Sequence, residues 1–249
     1  MRKTMKGKKM KKSKLLGILG GLGPLATAYF YELVTALTSA ECDQDHIDMV
    51  ISSRASTPDR SAFILGKSQD DPLPIMVEEA KKLEAYGANI IAIPCNTAHY
   101  FYDGIASEVK VPILNIINET IDSLATDGVK RAVLFATEGT CRAGTYQRAG
   151  EGRVEIITPS SQIQSEITSF IFDSIKKGAL PDEQHFLELG ALYKAHGCER
   201  IILGCTELSI IKKSFESVRR DGFFADSLEI LAKRTVVACG RELAVKPLL

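Results

Sequence analysis

The chain has 249 residues, 45% of them hydrophobic, which is enough to bury a full core and too apolar for a disordered chain. Lysine and arginine total 31, as do aspartate and glutamate, but eight of the basic residues crowd the first fourteen positions. Taking those eight from 31 leaves 23 basic against 31 acidic side chains over residues 15–249, a balance that argues against a nucleic-acid-binding face.

The basic run from Arg2 to Lys14 is read as a disordered tail over residues 1–14, because like charges repel and bury nothing; an electrostatic tether is the other reading. No apolar segment with a small-residue cleavage site follows it. The longest apolar runs fall far short of the roughly 18–20 residues that span a bilayer. A cytoplasmic protein without a membrane partner is expected. Cys42, Cys95, Cys141, Cys198, Cys205 and Cys239 stand far apart, which suits a reducing compartment. None sits at zinc-site spacing with His46, His99, His185 or His196, so no metal is expected.

Short β-branched runs alternate with amphipathic stretches along the chain, the pattern of an α/β protein whose mainly parallel sheet is flanked by helices. Strands are predicted at 15–20, 47–53, 89–94, 112–115, 131–136, 154–158, 200–204 and 222–225. Pro24, Pro74 and Pro181 mark helix starts, where a fixed φ helps and a missing N–H costs nothing. A long last helix is expected over 227–243, packing back on the first part of the chain. After the first strand, Gly21-Leu-Gly23-Pro-Leu-Ala26 matches a dinucleotide-binding fingerprint, with Arg54 near the end of the second strand. Pro24 removes one phosphate-facing donor, and a reductase of that kind leaves the cysteine motifs below without work.

Two strand ends resemble one another. Ile-Ile-Ala-Ile-Pro-Cys-Asn-Thr-Ala-His carries Cys95, and Ile-Ile-Leu-Gly-Cys-Thr-Glu-Leu-Ser carries Cys205, 110 residues on. Each delivers a cysteine just past a strand's carboxyl end, where open α/β sheets place ligands. A weak internal duplication follows, with residues 15–114 and 219–249 as one lobe and 115–218 as the other, so that the cysteines face each other across a cleft.

A thiol before a helix N-terminus is favoured as thiolate by the dipole and free N–H groups, whereas a lone buried cysteine is commonly a small hydrophobe. Two such thiols suit proton transfer at a carbon that inverts. A planar carbanion has two faces; one group removes the proton and the other returns one to the opposite side. The carbanion needs electrostatic help at its carboxylate. Asn96, Thr97, Thr140 and Thr206 are the polar groups at hand, with helix capping as their plainer use.

These residues resemble the aspartate/glutamate racemase superfamily, and more closely its aspartate racemase branch. The likeness runs through Gly-Ile-Leu-Gly-Gly-Leu-Gly-Pro-Leu-Ala-Thr (17–27), Thr-Pro-Asp-Arg-Ser (57–61), Pro-Cys-Asn-Thr-Ala-His (94–99), Ala-Thr-Glu-Gly-Thr (136–140) and Gly-Cys-Thr-Glu-Leu-Ser (204–209). The resemblance implies two similar α/β lobes with the site in the cleft, no pyridoxal phosphate or metal, and a homodimer. It implies Cys95 and Cys205 as the catalytic pair, Cys95 serving the D enantiomer and Cys205 the L enantiomer of a small acidic amino acid. It places Asn96, Thr97 and Ala98 on the substrate, with Arg60 of Asp59-Arg60-Ser61 and Lys176 on its distal carboxylate. Arginine's planar fork suits a carboxylate. Two departures bear on specificity: Ser53, Arg54 and Ala55 replace an asparagine before proline, and Leu22 replaces a methionine. Glutamate or broad-specificity racemisation, maleate isomerisation, decarboxylation and a non-catalytic amino-acid sensor stay as alternatives. Arg54 is open between a second anion contact and a solvated charge, and His99 between a structural role and a proton partner for Cys95.

Overall fold

The alternating pattern resolves into two four-stranded parallel sheets of equivalent strand order. A computed structural model describes residues 14–245, so the basic tail, apart from Lys14, lies outside the described residues. In the first sheet β1 (Leu16–Gly20) lies between β2 (Met49–Ser53) and β3 (Ile90–Ala92), with β4 (Ile113–Leu114) outside β3. The second repeats this: β5 (Arg131–Phe135) lies between β6 (Glu155–Ile157) and β7 (Arg200–Leu203), with β8 (Phe224–Asp226) outside β7. Every strand forms within two residues of its predicted bounds. The inner strands β1 and β3 are buried throughout, while β2 and β6 are partly exposed edges.

The helices are α1 (Pro24–Leu37), α2 (Arg60–Ile64), α3 (Leu73–Tyr86), α4 (Tyr102–Ala106) and α5 (Ile116–Thr126) in the first half. Then come α6 (Glu138–Ala143), α7 (Thr145–Gly150), α8 (Ser161–Ser169) and α9 (Glu183–Ala195). The last are α10 (Leu208–Ser214), α11 (Glu216–Arg220) and α12 (Ser227–Ala238). Local chemistry sets several starts. Pro24 opens α1, and Asn115 caps α5 by accepting from the N–H groups of Ile117 and Asn118 at 3.0 and 3.1 Å. Asp182, one residue after Pro181, caps α9 by accepting from His185 N at 2.7 Å. No helix among the described residues is long and apolar enough to cross a membrane.

Two features differ from the sequence expectation. β8 pairs with β7, Ile201 opposite Phe224, so the second sheet extends past residue 218. Phe224 stacks on Phe186 of α9 at 5.6 Å, and this aromatic packing holds the strand to its sheet. The last helix ends at Ala238 instead of running to 243, because Gly240 turns to a left-handed φ of 82° and Arg241 N bonds back to Val236 O at 3.1 Å. The chain beyond runs beside the end of α1, with Ser39 N on Glu242 O at 2.9 Å and Ala244 N on Leu37 O at 2.8 Å.

The lobes share a core. One continuous apolar cluster joins Leu16, Ile90 and Ala92 of the first sheet to Ala132, Leu134 and Ile202 of the second, through Phe30 of α1, Ile117 and Ile121 of α5 and Leu231 of α12. α12 fits this layer because Leu228, Leu231, Ala232, Thr235 and Val236 form one buried stripe at helical spacing. Outer clusters, one around Met76, Ile91 and Ile105 and another around Phe135, Phe186 and Leu208, complete each lobe.

At the cleft the lobes meet where α6 crosses α2, and a Cβ on Gly139 would lie 2.7 Å from Ser61 Cα. Gly139→Ala is therefore expected to wedge the lobes apart and cost about 1–3 kcal/mol, the usual range for overpacking. Urea denaturation measures it, and an unchanged midpoint would contradict so close an approach.

Candidate active site

Equivalent loops of the two sheets build the site. Leu22 follows β1 and Thr137 follows β5, while Cys95 follows β3 and Cys205 follows β7. Such loops lie at the carboxyl edge, beside the point where strand order reverses. Cys95 and Cys205, 6% and 5% exposed, line one small cavity between the lobes. Its volume is about 20 Å³, roughly the room one water molecule needs. Arg60, Lys176, Asp59 and Glu207 also line an outer chamber of about 370 Å³, walled by Pro24, Leu25, Ala26, Ile175 and Ile210. These four side chains thus stand at the throat between chamber and cavity.

Arg60 is buried, and its guanidinium donates to backbone carbonyls: Nη2 to Leu22 O at 2.7 Å, Nη1 to Pro58 O at 2.9 Å and to Thr57 O at 3.2 Å. Its Nε is buried with no partner, and among the described residues no carboxylate pairs with it. A buried cation without a counter-ion is costly, so the site favours an anion. Lys176 is placed by the end of α8, which widens into a π-helical turn over Phe170–Ser174 and closes at Gly178 with φ 83°. Its Nζ lies 3.7 Å from Glu207 Oε1 and 4.5 Å from the Phe172 ring centre.

Glu207 is buried, and its Oε2 accepts a hydrogen bond from Cys205 Sγ at 2.9 Å. Burial pushes the Cys205 thiol well above its ordinary range, the Glu207 carboxylate adds to the push, and Lys176 opposes it. Gly23 leaves room for this carboxylate, since a Cβ there would lie 2.9 Å from Oε1. Gly21 adopts φ 82°, and a Cβ on it would lie 2.4 Å from Arg54 N. The glycines of the dinucleotide-like fingerprint are therefore taken up by close packing within the protein.

Hydroxyls knit the other wall. Thr97 Oγ1 lies 2.8 Å from Thr140 Oγ1 and 3.1 Å from Thr137 Oγ1, and Ser61 Oγ donates to Thr137 Oγ1 at 3.2 Å. Ser61 and Thr97 belong to the first lobe, Thr137 and Thr140 to the second. Asn96 faces the cavity, but its amide is held from both sides: Tyr146 OH donates to Oδ1 at 2.7 Å, and Nδ2 donates to Ser227 Oγ at 3.0 Å.

The structure thus gathers Asp59, Arg60, Ser61, Cys95, Asn96, Thr97, Lys176, Cys205 and Thr206 around one cavity. Thr140 stands behind Thr137, and Ala98 is buried in the first lobe's outer core. Asp59 caps α2 through Ala62 N at 2.8 Å. Arg54 turns away to Glu79 at 2.8 Å and Glu78 at 3.6 Å and lines neither the cavity nor the outer chamber. Burial alone would raise the Glu79 carboxyl, yet hydrogen bonds from Ser52, Lys82 and Arg54 bring it down to about 2. Thr137 and Glu207 line the cavity without having been singled out as site residues, and Leu22, read as a departure bearing on specificity, lines it too. Both motifs that hold the two polar ones were legible; the direction of their side chains was not. Among the described residues no group of three His, Cys, Asp or Glu side chains is arranged for a metal ion.

Comparison with known proteins finds the same two-lobe α/β fold. A family model described as Asp/Glu/hydantoin racemase matches residues 19–233. A broad-specificity amino-acid racemase of Bacillus subtilis is 30% identical over 235 residues, covering 89% of this chain and 96% of that protein. The Picrophilus torridus aspartate racemase superposes with a TM-score of 0.73 at 26% identity, covering 93% of this chain and 96% of the other. An aspartate racemase homologue from Pyrococcus horikoshii gives 0.75 at 26% identity, covering 92% and 100%.

His99 points away from the chemistry. Its Nδ1 lies 2.8 Å from the Cys95 carbonyl and its Nε2 accepts from Ile116 N at 3.2 Å, a pattern that assigns the neutral Nδ1–H tautomer. Burial pushes its pKa down from 6.5 to about 4. The unfolded chain then binds this proton at higher pH than the folded one, so its contribution is whole above pH 6.5 and is lost as pH falls toward 4. His99→Gln is expected to remove roughly 3 kcal/mol of this acid sensitivity, read as a shallower fall of the urea midpoint between pH 7 and pH 4.5. An equal fall in both proteins would refute the neutral buried imidazole.

Proposed function

The chain belongs to the Asp/Glu/hydantoin racemase family, and on that footing we propose that it interconverts L- and D-aspartate, with Cys95 and Cys205 as opposed acid and base. The observation that carries the proposal is that the two thiols, from equivalent loops of the two sheets, line one cavity between the lobes. D-aspartate gives its Cα proton to Cys95 while Cys205 delivers one to the other face; L-aspartate reverses the roles.

The charges support a small diacid. Arg60, with an unpartnered Nε, and Lys176 at the throat suit the distal carboxylate. The α-carboxylate then meets the hydroxyl wall of Thr97, Thr137 and Thr206, with Asn96, Thr140, Asp59, Ser61 and Ala98 holding the loops that present it. Charge that develops on this carboxylate is stabilised by fixed donors in a water-poor space, which counts for more than in bulk solvent. A cavity near 20 Å³ is too small for aspartate, so binding opens the lobes and turnover closes them around the carbanion. This reading needs no cofactor, and it carries the homodimer and cytoplasmic setting that the resemblance and the composition imply.

One observation favours a wider substrate range. The throat opens on an outer chamber with apolar walls at Pro24, Leu25, Ala26, Ile175 and Ile210, where a longer or less polar side chain fits. The broad specificity of the Bacillus subtilis relative supports the same reading. A chiral assay across aspartate, glutamate, asparagine and serine separates the two; turnover confined to aspartate removes the wider one.

Cys95→Ser and Cys205→Ser are each expected to cut racemisation by on the order of 10²- to 10⁴-fold. In deuterated water each variant can still exchange the Cα proton of the enantiomer served by its surviving thiol. Wild-type racemisation in both variants would remove the two-thiol mechanism. Arg60→Ala is expected to raise KM for aspartate on the order of 10- to 100-fold, the range for a lost charged hydrogen bond, and an unchanged KM would move the distal carboxylate elsewhere.

A further inference from the structure

The two thiols keep unequal company. Cys205 Sγ donates to Glu207 Oε2 at 2.9 Å, and Glu207 Oε1 faces Lys176 Nζ at 3.7 Å. Cys95 shows no side-chain hydrogen bond among the described residues; the nearby His99 ring is engaged with the Cys95 carbonyl and Ile116 N instead. The motifs carry the same asymmetry. Two residues after Cys205 stands Glu207, and two residues after Cys95 stands the neutral Thr97.

We propose that Glu207 is a positioning residue that holds and aims the proton of Cys205, so that the resting protein presents Cys205 as the proton donor and leaves the acceptor's part to Cys95. The proposal rests on the two-thiol reading above. A buried carboxylate in contact with sulfur stabilises S–H through the hydrogen bond and opposes a thiolate by like-charge repulsion, which is weakly screened there. The other charged or titratable groups around Cys205 are Lys176 from the end of α8, Tyr146 of α7, and Asp59, Arg60 and Cys95 across the cavity. Lys176 is the cation that offsets Glu207. A diacid substrate competes for it, because its distal carboxylate takes up the same ammonium.

The proton balance closes. Cys95, as thiolate, takes the Cα proton and becomes a thiol; Cys205 gives its proton to the opposite face and becomes a thiolate. One C–H bond breaks and one forms. Loss of the new Cys95 proton to solvent and uptake of one by Cys205, on the side of Glu207, restore the starting state. Because the enantiomers have equal free energies, kcat/KM is the same in both directions, and the asymmetry falls on kcat and KM separately.

Alkylation of the two cysteines by iodoacetamide, followed separately by peptide mass spectrometry across pH, tests the proposal without substrate. Reaction reports the thiolate. In Glu207→Gln the Cys205 midpoint is expected to fall by about one pH unit or more, while Cys95 moves less. An unmoved Cys205 midpoint overturns the proposal. Should the variant fail to fold, infrared spectra of the wild type and Cys205→Ser answer the same question. A hydrogen-bonded S–H stretch present only in the wild type supports the pairing, and its absence from the wild type overturns it. Chiral turnover keeps the two readings apart. Racemisation with an unmoved midpoint removes the role of Glu207 alone, whereas a shifted midpoint without racemisation removes the function and leaves the thiol–carboxylate bond.

Discussion

A buried chain of hydrogen bonds ties the two halves of the cavity together. Tyr146 of α7 donates to Asn96, Asn96 donates to Ser227 at the start of α12, and Ser227 Oγ donates to Leu203 O at 2.7 Å. Asn96 is the neighbour of Cys95, and Leu203 ends the strand that delivers Cys205. The tyrosine and serine are fully buried, and an orphaned polar group there costs about 1–3 kcal/mol, so the links form as a set. The loop after β3 and the end of β7 are thereby held in one frame, although they lie in different sheets.

The shared core gives that frame its stiffness. α1, α5 and α12 bury one apolar layer between the sheets, so the lobes do not have independent interiors. On the other side, α2 meets α6 through hydroxyls and the bare backbone of Gly139. A packed layer at one edge and a small, polar contact at the other is an arrangement suited to hinging.

Charge is distributed with the same economy. The one buried guanidinium at the throat is occupied by carbonyls on its Nη atoms and keeps its Nε free. The other arginine near the first glycine loop, Arg54, is neutralised by Glu78 and Glu79. Glu207 and Lys176 face each other across the throat. The dinucleotide alternative loses its footing in this region, since Gly21 and Gly23 are needed for contact with Arg54 and Glu207.

Much of this was legible in the sequence because it rests on local pattern. Short β-branched runs placed every strand, prolines marked the early helix starts, and the paired strand-cysteine motifs brought Cys95 and Cys205 forward. Residues beyond each cysteine were readable as polar and near a helix start. The sequence did not say which way they face. That Asn96 is locked into a buried chain, that His99 is neutral and turned to a carbonyl, and that Glu207 reaches back to sulfur are consequences of long-range packing. The same holds for β8, whose place beside β7 depends on Phe186 some forty residues earlier. Periodicity reports how a segment meets the core in general; only the folded chain decides which distant side chain stands within hydrogen-bond reach, since that depends on backbone positions no local pattern encodes.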